Sequence, residues 1–227
     1  MSTHDGHRQR LKQRFLEEGL DNFNEINVLE LLLFYSIPRK DTNEIAHRLL
    51  NEFGSLEGVL DANTSDLVKV AGISDNSAVF LSLISAVGRY YLVKKSDIEG
   101  PIEYPDQYCA VLAPKFVGRR NEMVYVLCLD AKNKMICCRL VGEGTINSAN
   151  VSARKIAEIA LSVNATTIVL AHNHPSGLAI PSHEDIVATK HVAHALQAMD
   201  ILLLDHVVVA DNEAVSMRSS GSYQLPY

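Results

Sequence analysis

The sequence predicts a protein in two parts, an all-α N-terminal module and a C-terminal α/β or α+β sheet with helices against its faces. Three observations carry this. From residue 7 to about 94, apolar residues recur at helical spacing. The stretch from Lys94 to Pro105 then changes character, with Gly100-Pro101 and Tyr104-Pro105 marking a linker. Beyond it, short strand patterns alternate with helical ones, the arrangement of a sheet with helices against its faces. The boundaries are 1–95 for the helical module, 96–105 for the linker and 106–227 for the sheet domain.

In the first part, residues 7–19 form an amphipathic helix, apolar at Leu11, Phe15 and Leu16 and stopped by Gly19. A second helix runs from about Asn24 to Ile37 and ends at Pro38. Asp41-Thr42-Asn43-Glu44 starts a third as a capping box, places Ile45, Leu49, Leu50 and Phe53 on one face, and is closed by Gly54. The segment Ser65 to Ser74, with Val70-Ala71-Gly72-Ile73-Ser74 at its turn, resembles a helix-hairpin-helix, and a long helix from Asn76 to Lys94 follows. In that motif a Gly-hydrophobic-Gly turn offers backbone N–H groups to a phosphate. Here the second glycine is Ser74, which weakens that geometry, and packing or partner docking is the preferred role.

The second part opens with a short helix near Asp106 to Lys115. Glu122 to Asp130 reads as a strand, Ala131 to Lys134 as its turn, and Met135 to Val141 as the returning strand, broken by Gly142-Glu143-Gly144-Thr145. A helix over Ser152–Val163 follows, with Ile156, Ile159, Ala160 and Val163 inward; then a strand ending in His172, a helix from His183 to about Met199, a buried strand Leu202–Ala210, and a last strand over Ala214–Met217.

The functional signal lies where the strand Thr166–His172 runs out into His174-Pro175-Ser176-Gly177 and on to Pro181-Ser182-His183-Glu184-Asp185. Side chains at i and i+2 of a strand share a face, so His172 and His174 converge on one point. Asp185, in the first turn of the next helix, can return a carboxylate to that point. Two imidazoles and a carboxylate are a usual catalytic zinc set, with a fourth position open for water. The His-x-His pair alone is weak; an Asp eleven residues after its second His and a Ser three before that Asp make it specific. Ser182 and Asp185 also spell a capping box, and the two readings are compatible, because a cap aims the helix that delivers Asp185.

These residues, His172-Asn173-His174-Pro175-Ser176-Gly177 with Pro181-Ser182 and Asp185, resemble the bacterial RadC family, within the JAB/MPN (JAMM) metalloprotease-like superfamily. The resemblance runs from Gly6-His7-Arg8 to Asp205-His206 and places a helix-hairpin-helix-like domain before the sheet. It implies one zinc ion per chain on His172, His174 and Asp185, a JAMM-type sheet, and cleavage of amide or isopeptide bonds. It also implies that Glu122 carries the proton from water to the leaving amine and that Ser182 donates to the oxyanion. Glu143, at the other end of the hairpin, and Glu184, beside Asp185, are the rivals of Glu122. His191 and His194 are expected at the surface. Asp205-His206 is expected either to support a ligand or to be buried core.

Composition excludes several classes. The net charge is −6; residues 1–100 hold 11 Lys and Arg against 15 Asp and Glu, a net of −4. That is no footprint for phosphate backbones, and only His7 to Arg14 is locally basic. No apolar run approaches a membrane span and no secretory signal opens the chain. Cys109, Cys128, Cys137 and Cys138 contain no C-x-x-C, so reduced thiols and a cytoplasmic location are expected. No P-C-x-x-C pair follows the histidines, which disfavours a zinc deaminase. The expectation is a zinc-dependent metallopeptidase or isopeptidase acting on a protein or peptide. The alternative is a nucleic-acid-associated repair or recombination factor of the RadC type.

Overall fold

The computed structural model describes residues 3–38, 40–145, 151–175, 177–211 and 213–224. They form two compact units, Met1–Gly88 and Arg89–Tyr227. Among the described residues, no helix is long and apolar enough to cross a membrane.

The first unit is helical. α1 (Thr3–Glu18) ends at Gly19, whose φ of +68° suits a residue without Cβ. α2 (Glu25–Ser36) starts where the Asn24 side chain accepts the Asn27 N–H, and it stops before Pro38. α3 (Asn43–Phe53) closes on Gly54, φ +84°. Two short helices, α4 (Leu56–Leu60) and α5 (Thr64–Leu67), lead to α6 (Asp75–Lys95), whose residues 89–95 belong to the second unit. Leu29, Leu33, Ile45, Leu49, Leu67 and Leu81 make the core.

One expectation is corrected here. Of the apolar residues assigned to α1 only Leu11 is buried, against Leu31 and Phe34; Phe15 and Leu16 are exposed, because the other contacts of α1 with α2 run through His7, Arg8 and Lys12. At the start of α3 the Asp41 Oδ1 accepts the Asn43 N–H at 2.9 Å, while the Thr42 hydroxyl makes no cap bond and is buried without a partner. Ser74 is a helix cap: its Oγ accepts the Ser77 N–H at the start of α6, while the left-handed turn falls on Gly72, φ +103°.

The second unit is a five-stranded mixed sheet: β1 (Met123–Leu129), β2 (Met135–Glu143), β3 (Thr167–Asn173), β4 (Leu202–Ala210) and β5 (Glu213–Ser216), in the order β2-β1-β3-β4-β5. Only β3 and β4 are parallel, joined by the crossover helix α9 (His183–Gln197). One face packs on α8 (Ala153–Ser162) and α9 through Val124, Val126, Ile168, Leu170 and Val208; the other packs on α7 (Pro105–Leu112) through Tyr125, Leu127, Val169 and Val207. The segment 96–105 lies in this unit, with Ile102 fully buried and its N–H donated to Asn133 O. β2 continues past Gly142, contrary to the expected break. Val124 pairs with Gly142 and Tyr125 with Leu140, so Val141 is an extra, bulged residue and the strand reaches Glu143.

Candidate metal centre

Period-two alternation on β3 sets the site. Ile168, Leu170 and His172 face the α8/α9 side, and the strand ends at Asn173 with His174 held by its N–H to Val209 O at 2.8 Å. α9 starts at Ser182, whose Oγ accepts the Asp185 N–H at 3.1 Å while the Asp185 carboxylate accepts the Ser182 N–H at 2.8 Å. This capping box turns Asp185 back toward β3. The structure brings His172, His174 and Asp185 together: their ligand atoms lie within 4.8 Å of one another. His172 Nε2 is 2.9 Å from His174 Nε2 and 3.2 Å from Asp185 Oδ1, and His174 Nε2 is 3.4 Å from Asp185 Oδ2.

The donor chemistry of this cluster fits a divalent cation. His174 Nδ1 lies 3.1 Å from the Leu178 carbonyl, which can only accept, so that nitrogen carries the proton and Nε2 presents a lone pair to the cluster. Burial works to raise the Asp185 carboxyl, but the His172 ring beside it, followed by the Ser182 hydroxyl and N–H, holds it well below the usual carboxylate range. Asp185 is therefore an anion aimed at two imidazole nitrogens, the set that suits zinc.

Ser182 adds a third contact, donating its hydroxyl to Asp185 Oδ2 at 2.7 Å. In this arrangement its proton braces the carboxylate. Glu122 sits just before β1, half-buried. Val124 pairs with His172, and Glu122 lies two residues before it, just outside β1. Glu143 pairs with Met123, and its carboxylate meets the Asn121 side chain at 3.4 Å. Glu122 and Glu143 both line a cleft of about 520 Å³ with Arg120, Asn121, Gly144 and Pro175. Glu184, His191 and His194 are exposed and outside the cluster. Ser176 lies outside the described residues.

Two residues escaped the sequence reading. Asn173, between the two histidines, accepts the Met123 N–H on Oδ1 at 2.8 Å and donates Nδ2 to Asn121 O at 3.2 Å. Its amide thus grips the peptide groups on both sides of Glu122. Thr189, one turn beyond Asp185, hydrogen-bonds His206 at 2.6 Å. Asp205 and His206 part company: His206 meets His172 at 2.8 Å, while Asp205 faces the other layer, accepting from Tyr108 Oη at 2.5 Å, from Ser216 Oγ, and from the N–H groups of His206 and Arg218. Burial, helped by the neighbouring His172, holds the His206 imidazole well below its ordinary pKa, so it is neutral.

Comparison with known proteins places this geometry. The family model described as the RadC-like JAB domain matches residues 102–222. A UPF0758 protein of Fusobacterium nucleatum is 36% identical over 95% of this chain and 96% of its own. UPF0758 proteins of Alteromonas mediterranea and Pseudomonas savastanoi are 33% and 30% identical, each over 94% of this chain and 95% of theirs.

Proposed function

The chain belongs to the RadC-like JAB domain family, and on that premise we propose that it is a zinc-dependent hydrolase of amide or isopeptide bonds in a protein or peptide, working in the cytoplasm. One observation carries the reading: two imidazole nitrogens and a depressed carboxylate converge within 4.8 Å of one another. His172, His174 and Asp185 hold one zinc ion per chain. When bound, the ion supplies a water acidic enough to lose a proton near neutral pH.

The remaining work falls to the chain's own groups. Glu122 would hold the proton given up by the attacking water and hand it to the leaving amine; the hold of Asn173 on the peptide groups either side of it supports it over Glu143. Ser182 turns its hydroxyl from Asp185 to the oxyanion that develops on the scissile carbonyl. The cleft between Glu122 and Pro175 receives the substrate backbone.

Metal analysis and a trap variant test this. Protein supplied with zinc binds about one ion per chain. Glu122→Ala keeps the ion and loses hydrolysis of the peptide pool that the wild type cleaves, whereas Asp185→Ala loses both. Wild-type protein that takes up no zinc removes the proposal, and hydrolysis retained in Glu122→Ala removes Glu122 from its role.

A further inference from the structure

The buried side-chain amide of Asn173 supplies a ladder rung that the main chain cannot. The last rung between β1 and β3 pairs Val124 with His172. Two residues further on, the same register would set Glu122 opposite His174. An antiparallel partner would hold residue 122 through the Asn121 carbonyl and the Met123 N–H. The main-chain donor for that carbonyl would be residue 175, which is proline and has no N–H. The His174 N–H is already given to Val209 O on β4. Asn173 fills the place from its side chain: Oδ1 accepts the Met123 N–H at 2.8 Å and Nδ2 donates to Asn121 O at 3.2 Å. Each partner is a backbone atom with a single role, so the amide has one orientation. On the other side, Glu122 O accepts the Gly144 N–H at 2.8 Å.

The two peptide planes that meet at the Glu122 Cα are thereby both held, and with them φ, ψ and the direction of the Cα–Cβ bond. From this we infer that Asn173 is a positioning residue for Glu122, fixing the backbone under that carboxylate against the strand end that carries His172 and His174. The inference rests on the hydrolase reading and deepens it. Successive strand side chains point to opposite faces, so Asn173 turns away from the face of His172. Neither of its two bonds involves the side chain of a metal ligand. Rate and ion affinity therefore separate at this residue.

Three measurements on Asn173→Ala test this: amide hydrogen exchange by NMR, zinc affinity against a competing chelator, and hydrolysis of a fluorogenic peptide drawn from the pool that the wild type cleaves. The Met123 amide, slow in the wild type, exchanges about 10-fold faster or more in the variant, while the Leu127 amide inside β1 is unchanged. Zinc affinity and KM stay within about 3-fold, and kcat falls about 10- to 100-fold. A general loosening of the fold would lower affinity and rate together. A folded Asn173→Ala with wild-type kcat overturns the inference, as does a loss of zinc affinity equal to the loss of rate. If the alanine variant fails to fold, Asn173→Asp, isosteric and able to keep only the Met123 bond, takes its place, and wild-type kcat there overturns the inference as well. Fast Met123 exchange in a wild-type protein that binds zinc and cleaves the peptide overturns the inference alone. Wild-type protein with a slow Met123 amide but no zinc affinity sinks the hydrolase reading, and the role of Asn173 with it, so the two failures are told apart.

Discussion

The two units treat buried polar groups in opposite ways. In the helical unit Glu30 is 1% exposed with one oxygen on His7 and the other, Oε2, unpaired, and the Ser36 and Thr42 hydroxyls are buried without partners. In the sheet unit His172, Asn173, Asp185, Thr189, Asp205, His206 and Ser216 are all buried and all bonded; Arg119 Nε is its one unpaired atom among the described residues. A buried polar group without a partner costs stability, and one within a complete network specifies geometry. The polar groups of the sheet unit are placed to hold a site. Those of the helical unit are incidental to its packing.

The widest separation between the units is expected from a ligand. Asp185→Ala lowers cation affinity by more than the roughly 100-fold that supporting residues cost, measured by chelator competition. A carboxylate swap comes next. Asp205→Asn turns an amide donor on at least one pair of Asp205's incoming donors and loses about 2–4 kcal/mol of stability in urea unfolding, whereas Glu30→Gln changes it by less than about 1 kcal/mol. Threonine gives the sharpest contrast, since Thr42→Val gains up to about 1 kcal/mol by removing an unpaired hydroxyl, while the same change at Thr189 breaks a bonded one. Equal signs at these two sites would break the comparison.

pH offers a subtler separation. Burial pushes the Cys109, Cys128 and Cys138 thiols up from 9.0 to about 12, and all of the cysteines lie in the sheet unit. A raised pKa means that the folded form keeps its proton longer than the unfolded one. That stability is complete below pH 9 and drains away as pH climbs toward 12. The urea midpoint of the sheet unit should fall across this window, and replacing the three thiols by alanine should flatten the fall. The smallest effect is expected from duplex DNA. With a net charge of −4 over residues 1–100 and Ser74 engaged as a cap, a titration at two salt concentrations should give flat or absent binding.

Most of this architecture was legible in the chain because its cues are local. The helix ends at Gly19 and Gly54, the hairpin around Asn133, the His-x-His strand end and the Ser182-Asp185 box all act within a few residues. What was misread depends on partners far away in sequence. Gly142 looked like a strand stop because the bulge that accommodates it is set by β1. Asn173 and Thr189 gave no signal, since their partners stand 50 and 17 residues off. The relation of Glu143 to the site turns on strand register: it pairs with Met123, next to the Val124 that faces His172, whereas Glu122 lies one residue before β1.

The Asn173 amide spans a place where main-chain pairing has run out: β1 begins at Met123, β3 ends at Asn173, and His174 is already tied to β4 instead. Just beyond that rung stand Glu122 and Pro175, which line one cleft. One side chain therefore acts as a rivet between two chain ends, and a shorter or longer residue there would change the distance between them.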